Sequence, residues 1–398
     1  MSKKFQKLLS QRTLSMQSNA IREILAVVSQ PGMISLAGGI PAPQSFPLED
    51  LYRINETVLD RYGAAALQYD LTEGFTPFRE ALVDYLADKQ VRSNAEDILV
   101  FNGSQSVLDT LAKVLISPGD LVALESPSYL GAITAFNAYE PRYVNIETDD
   151  EGIIPESLVD VLETRSVKFI YLVSTFQNPT GRTLSESRRR EVAEIVKRFE
   201  ALVIEDDPYS DLRYRGEPVA PFFAFAPENT VYVSTVSKVF APGLRLGFCI
   251  APKAIHHWMR IAKQGADLHS NTYAQALATE YIRGGYLDRQ LPKIIDLYRP
   301  RQEAMLAAMD QFMPKDYRWT KPEGGMFIWI DGPDGLDAEE IYWKAVDQKV
   351  AFVPGKYFFI DQDAGLGTMR LNFTMSDEST IGRAIEILAR VIGEHRGD

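Results

Sequence analysis

A chain of 398 residues is long enough for two domains with substantial cores, and 45% hydrophobic with 24% charged residues is the balance of an ordinary soluble globular protein. Asp and Glu number 54 against 42 Lys and Arg, a net charge of -12, so a general attraction to nucleic acid or to anionic membranes is excluded and any anion site must be local. The single cysteine, Cys249, cannot form an internal disulfide and points to a reducing, cytoplasmic setting. No apolar run approaches the roughly 18 residues a membrane helix needs. Metal chemistry has little support, because His256 and His257 are adjacent while His269 and His395 are isolated.

Residues 1–22 carry Lys3, Lys4, Lys7, Arg12 and Arg22 with no acid before Glu23. The pattern can mimic a transit peptide, but it lacks a secretory apolar core and reads as an amphipathic arm of the mature protein. The spacing of Ile21, Ile24, Leu25 and Val28 predicts a helix over 13–30, ending before Pro31 and Gly32. The segment SLAGGIPAPQSFP, 35–47, combines paired glycines with prolines and reads as a fixed irregular loop. Helical periods follow over 51–62 and 76–89, separated by the turn-rich LQYDLTEGF.

Between residues 97 and 251, apolar runs alternate with helical periods. Strands are expected at 98–101, 121–125, 143–146, 169–174, 202–205, 231–235 and 246–250, with helices including 105–115, 129–138 and 186–198. This pattern predicts an α/β fold, a mainly parallel seven-stranded sheet with helices on both faces. The last two strands are joined by too short a segment for an ordinary crossover, so one strand is expected to run antiparallel. A long helix over 286–312, with possible kinks at Pro292 and Pro300, leads to strands at 326–330, 350–353 and 369–373 and helices at 338–347 and 376–393. These form a smaller α+β domain. The expected division is an amino-terminal arm joining the small domain (1–50), a large domain (51–295) and a small carboxy-terminal domain (296–398).

Polar clusters follow the expected strands, where open α/β sheets place ligands. Ser104 and Gln105 open a helix whose free N–H groups can hold a phosphate, or Ser104 is a simple N-cap. Tyr129 can stack on a planar cofactor or merely pack in the core. Asn178 lies in Asn-Pro-x-Gly, a turn on chemical grounds alone, and its amide can donate to a phenolate-like oxygen. Asp206 ends a buried strand and needs a cationic partner, for which a protonated pyridine nitrogen would serve, while Tyr209 can reach the same ring oxygen as Asn178. Thr235, Ser237 and Arg245 suit a phosphate, and they leave Lys238, oddly placed in a crowded turn, free to form a Schiff base with an aldehyde.

This constellation resembles the pyridoxal-phosphate-dependent aminotransferases of the aspartate aminotransferase fold (type I), in the subgroup of 2-aminoadipate, kynurenine and aromatic aminotransferases. The matching segments are IREIL, SLAGGIPAPQSFP, LQYDLTEGFTPFREAL, NGSQSVLD, QNPTG, DDPY, SKVFAPGLRLG, PEGGMFIW and MRLNFT, spread over nearly the whole chain. The resemblance implies pyridoxal 5'-phosphate as cofactor, with Lys238 bonded to it and later carrying the proton between the substrate Cα and the cofactor. It implies Asp206 at the pyridine nitrogen, Asn178 and Tyr209 at the ring oxygen, and Tyr129 on the ring. Ser104, Gln105, Thr235, Ser237 and Arg245 would hold the phosphate.

Further roles come from the resemblance alone. Tyr69 would reach a phosphate in a neighbouring subunit, implying a homodimer with shared sites; by itself it reads as a packed turn tyrosine. Arg370 would bind the substrate α-carboxylate, a task suited to its planar fork, whereas most strand arginines are only ion-pair members. Gly39 would lie against the substrate, and Arg22 would meet a distal carboxylate or be an ordinary helix-face arginine.

The expected activity is transfer of an amino group between an L-amino acid (2-aminoadipate, aromatic or broad range) and a 2-oxo acid such as 2-oxoglutarate, by a ping-pong mechanism. Elimination by a C–S lyase of the same fold is an alternative. A ligand-sensing regulator is disfavoured, since only about a dozen residues precede the matching region.

Overall fold

In the computed structural model, which describes residues 3–16, 27–28 and 30–397, the seven expected strands form one sheet. They are β1 (Ile98–Phe101), β2 (Leu121–Glu125), β3 (Arg142–Ile146), β4 (Val167–Leu172), β5 (Val203–Asp206), β6 (Thr230–Thr235) and β7 (Gly247–Ile250). Their order is β1-β7-β6-β5-β4-β2-β3. Strand β7 runs antiparallel to both neighbours and the other pairings are parallel, as the short connection from β6 requires.

Side-chain alternation divides the core. In β4, Phe169 and Tyr171 join the main apolar cluster while Ile170 and Leu172 join a second, and Ile204 and Val203 of β5 divide the same way. Both faces are therefore buried, which explains the nearly unbroken apolar runs in the sequence. Helices α1 (Leu48–Tyr62), α2 (Thr76–Ala87), α3 (Ser104–Leu115), α4 (Leu130–Asn137) and α6 (Glu186–Arg198) lie close to their expected positions. Three more, α5 (Pro155–Thr164), α7 (Lys253–Asp267) and α8 (Thr272–Arg283), complete the layers. Their end signals are visible in retrospect: a proline opens α5, and the Asn271 side chain accepts the Ala274 N–H at the start of α8.

Helix α9 (Tyr286–Phe312) passes unbroken through Pro292 and Pro300 and packs along α11 (Glu378–Gly397). The carboxy-terminal sheet is antiparallel in the order β8-β9-β11-β10, from β8 (Arg318–Trp319), β9 (Phe327–Asp331), β10 (Val353–Pro354) and β11 (Thr368–Asn372), beside α10 (Ala338–Asp347). The strand expected over 350–353 is divided. Val350–Ala351 pairs in parallel with Ile34–Ser35, whereas Val353–Pro354 pairs with β11, so the backbone changes partner at buried Phe352. That pairing ties the loop 35–47 to the carboxy-terminal unit. The helix expected over 13–30 lies largely outside the described residues. Among the described residues, no helix is long and apolar enough to cross a membrane.

Arg189 on α6 fastens the segment between β4 and α6. It is fully buried and donates to the Leu184, Ser174 and Ala220 carbonyls and to Thr175 Oγ1 at 2.7–2.9 Å, with the Glu205 charge nearby. Arg189→Met would leave these acceptors unpaired. We expect a loss of about 3–5 kcal/mol in a denaturant titration, against the fraction of a kcal/mol typical of a surface arginine.

Candidate active site

The parallel strands deliver their carboxyl ends to one edge of the sheet, and antiparallel β7 begins there. Its first residue, Gly247, pairs with Thr235 at the end of β6 and with Phe101 at the end of β1. The turn before β7 therefore brings Arg245 beside both strand ends. Arg245 adopts a left-handed φ of 53°, and its Nη2 lies 3.5 Å from the Asn102 carbonyl. Gly103, at φ 87°, caps α3; a β-carbon on it would collide with the Arg245 guanidinium, and one on Gly247 would strike the Gly103–Ser104 backbone. Glycine is required at both positions for this close approach.

Thr235 Oγ1 lies 2.8 Å from Ser237 Oγ and donates to the Leu246 carbonyl at 2.6 Å. With the start of α3 and Arg245, these hydroxyls line one end of a cavity. The Gln105 side chain lines it too, and its amide donates to the Gly131 carbonyl at 2.7 Å. Tyr129 caps α4 and its ring lies over Gly131, where no β-carbon would fit. Burial, with the Asp206 charge second, raises the Tyr129 phenol to about 12 and keeps it neutral.

The other end is acidic. Glu205 and Asp206 close β5, Asp207 follows it, and all three are buried. Glu205 accepts from Ser174 Oγ and from the Phe222 and Phe223 N–H groups at 2.6 and 2.8 Å. Asp207 accepts from Tyr232 and from the Ser210 N–H. Asp206 points to the opposite face, where Tyr171 donates to its Oδ2 at 2.8 Å and its Oδ1 has no partner. Burial raises the Asp206 carboxyl to about 7, with the neighbouring acids adding to the rise and Lys238 opposing it.

Between these ends sits Lys238, whose amine donates to the Gly39 carbonyl at 2.8 Å. Burial first, then the Arg370 and Arg245 charges, lowers the amine to about 8. Arg370 lies on β11 between the rings of Phe327 and Phe358, 4.3 and 4.8 Å from their centroids. It donates to Asn178 Oδ1 at 2.8 Å and to the Ala37 carbonyl at 2.7 Å, while its buried Nε has no partner. Because a guanidinium only donates, this contact sets the Asn178 amide: carbonyl toward Arg370, NH2 toward Tyr209 Oη at 3.4 Å.

The fold thus gathers Ser104, Gln105, Tyr129, Asn178, Asp206, Tyr209, Thr235, Ser237, Lys238 and Arg245 around one cavity, with Arg370 bonded to Asn178 and Gly39 to Lys238. Tyr69 is not among them within one chain. It is 77% exposed and meets His269 edge-on at 5.6 Å. Arg22 lies outside the described residues. Ile40, Val173, Pro208 and Pro242 also line the cavity, and Tyr171, Phe327 and Phe358 support its charged groups. Phe327 could have been suspected from PEGGMFIW, whereas nothing in the sequence separates Tyr171 or Phe358 from ordinary core aromatics.

The class I and II aminotransferase family matches residues 53–388. The chain belongs to that family. The aromatic-amino-acid aminotransferase 1 of Thermococcus litoralis is 44% identical over 397 residues, covering 98% of this chain and 95% of its own length. The solved Pyrococcus horikoshii kynurenine aminotransferase, in complex with PMP, is similar with a TM-score of 0.95 and 42% identity, over 99% of this chain and 98% of that one. The alpha-aminoadipate aminotransferase of Thermus thermophilus, complexed with N-(5'-phosphopyridoxyl)-L-leucine, gives 0.91 at 34% identity over 100% of both chains.

This aminotransferase uses pyridoxal phosphate to move an amino group between an amino acid and a 2-oxo acid. The residues present fit that cofactor. The unpaired Asp206 Oδ1 suits a ring N–H, the hydroxyls, helix start and Arg245 suit a phosphate, and the Lys238 amine suits an aldehyde. Gly103→Ala would place a left-handed backbone strain of about 1–3 kcal/mol and a collision at the phosphate end. Fluorescence titration of the apoenzyme with cofactor should show affinity at least about tenfold weaker; unchanged affinity would show that this loop is not the cradle.

Proposed function

We propose that the chain transaminates a broad range of L-amino acids including aromatic ones and 2-aminoadipate, with 2-oxoglutarate as an acceptor, in a reducing cytoplasmic setting. The observation that carries the reading is the cavity lined by an amine of lowered basicity and a buried acid with one open oxygen, with an arginine of open Nε bonded to the Asn178 that also lines it. The breadth is supported by the names of the relatives and by an apolar surround: Ile40 lines the cavity, and Phe327 and Phe358 flank Arg370.

Pyridoxal phosphate supplies an aldehyde and an electron-withdrawing ring that make the substrate Cα proton removable. Lys238, neutral above about pH 8, accepts that proton and returns it at the opposite end of the transfer. Its bond to the Gly39 carbonyl gives the amine a resting partner when it carries no covalent link. Asp206 would hold a proton at the ring nitrogen, Asn178 and Tyr209 would donate to the ring oxygen, and Tyr129 would cover the ring. Arg370 takes the substrate α-carboxylate, its orientation held by Ala37 and Asn178. Gly39 is proposed to stand against the substrate on the resemblance alone; it packs on the Phe327 ring so closely that a β-carbon there would meet it at 2.7 Å. Arg22 is proposed to meet a distal carboxylate on sequence grounds alone.

The same reading includes a homodimer and the division of the chain at about residues 50 and 295. Leu67, Tyr69 and Leu71 are exposed in the loop after α1, as are Leu48, Tyr52 and Leu59 on α1 itself, more apolar surface than one chain uses there. The pairing of Ile34–Ser35 with Val350–Ala351 supports an amino-terminal arm that belongs with the small domain.

The half-reaction is measured by following cofactor absorbance with each amino acid in turn. Lys238→Ala should abolish borohydride trapping and every half-reaction, whereas Arg370→Lys should weaken all amino acids together by about tenfold or more. Loss for one substrate class only would remove Arg370 from the α-carboxylate. For the shared site, Tyr69→Ala and Lys238→Ala chains, each impaired alone, should regain activity when refolded together, because one site of the hybrid then holds both native residues. No recovery in a proven hybrid would sink the cross-subunit role of Tyr69.

A further inference from the structure

Tyr171 lies on β4, fully buried, and nothing in its sequence context marks it for chemistry. In the parallel register it pairs with Ile204, and Asp206 stands two residues farther along β5 on the same face. The phenol therefore reaches along the strand and donates to Asp206 Oδ2 at 2.8 Å. Phe136 meets its ring edge-on at 5.7 Å and limits its movement. Among the described residues no other donor reaches the Asp206 carboxyl, and Oδ1 is left as its one open oxygen.

We propose that Tyr171 is a positioning residue: by filling one oxygen of Asp206 it orients the carboxylate, keeps it ionised, and so leaves the shared proton on the cofactor's ring nitrogen. The inference rests on the reading that Asp206 faces that nitrogen. Two arrangements compete at such a contact, N–H against a carboxylate and a bare nitrogen against a carboxylic acid, and they differ only in which atom holds one proton. A donor to the far oxygen stabilises the charged carboxylate and favours the first. Burial works the other way, raising the Asp206 carboxyl, while the bond from Tyr171 lowers it. Tyr171 itself stays a donor, since burial and the Asp206 charge push its phenol well above its usual value. The remaining charged groups that act on Asp206 are Lys238, from the turn after β6, Glu205 on its own strand and Asp207 just after it.

The test uses holoenzyme reconstituted with cofactor carrying 15N in the ring. In the native protein the 15N shift should be that of a protonated pyridine nitrogen. Tyr171→Phe, which keeps the ring packing against Phe136, should move the shift toward the unprotonated value and raise the cofactor dissociation constant about tenfold or more. In an Asp206→Ala background the same Tyr171→Phe change should alter the constant less than about twofold, because the carboxyl it serves is gone. An unchanged shift and constant in Tyr171→Phe, or an equal weakening in both backgrounds, would overturn the proposal and leave Tyr171 a packing residue. If Asp206→Asn alone leaves the shift unmoved, the reading of Asp206 fails instead. Should Tyr171→Phe not fold, 4-fluorophenylalanine at the same position fills the hydroxyl's space without donating and is held to the same outcomes.

Discussion

A charge removed from water must be met by donors or by an opposite charge, and this protein buries several in one small region. Glu205 and Asp207 meet the condition within the fold, through hydroxyls and backbone N–H groups on both oxygens. Asp206, between them and facing the other way, meets only half of it. Lys238 rests on a single carbonyl, and the Arg370 guanidinium keeps one buried nitrogen open. Asp206 and Lys238 line one cavity and Arg370 is bonded to Asn178 on its wall, so a bound cofactor and substrate would complete these sets. The same dryness lowers the lysine's basicity and raises the acid's, as proton transfer near neutrality needs.

Sheet topology makes that concentration of charge possible. Parallel strands bring several carboxyl ends to one edge, and reversal of the last strand adds Arg245 to the same edge through the register of Gly247 with Thr235 and Phe101. The carboxy-terminal unit contributes from across the cavity. Strand β11 carries Arg370, and the short parallel pairing of Ile34–Ser35 with Val350–Ala351 anchors the loop that supplies the Ala37 and Gly39 carbonyls. Arg370 and Lys238 each bond to that loop, so it joins β11 to the turn after β6.

Much of this was legible from residue order. Seven apolar runs bounded by turn residues marked the sheet, and the short segment before β7 disclosed the reversed strand. The polar clusters could be read because charged and hydroxyl groups at strand ends break the apolar pattern locally. Helices α5, α7 and α8 are weakly marked in the sequence, their boundaries resting on single cap or proline signals. The strand expected over 350–353 divided because its partners come from opposite ends of the chain, and residue alternation carries no information about partners.

By itself the sequence determined the fold class, the family and the identities of the groups gathered at the strand ends, because periodicity, turn chemistry and buried polar residues are local and survive in one dimension. Only the tertiary structure decided how those groups use one another. It orients the Asn178 amide through Arg370, seats Lys238 on Gly39, leaves Tyr69 away from its own chain's cavity and gives Asp206 a single tyrosine donor. Each of these depends on distances between residues remote in sequence, and hydrogen bonds that decide a buried charge are won or lost over less than an ångström.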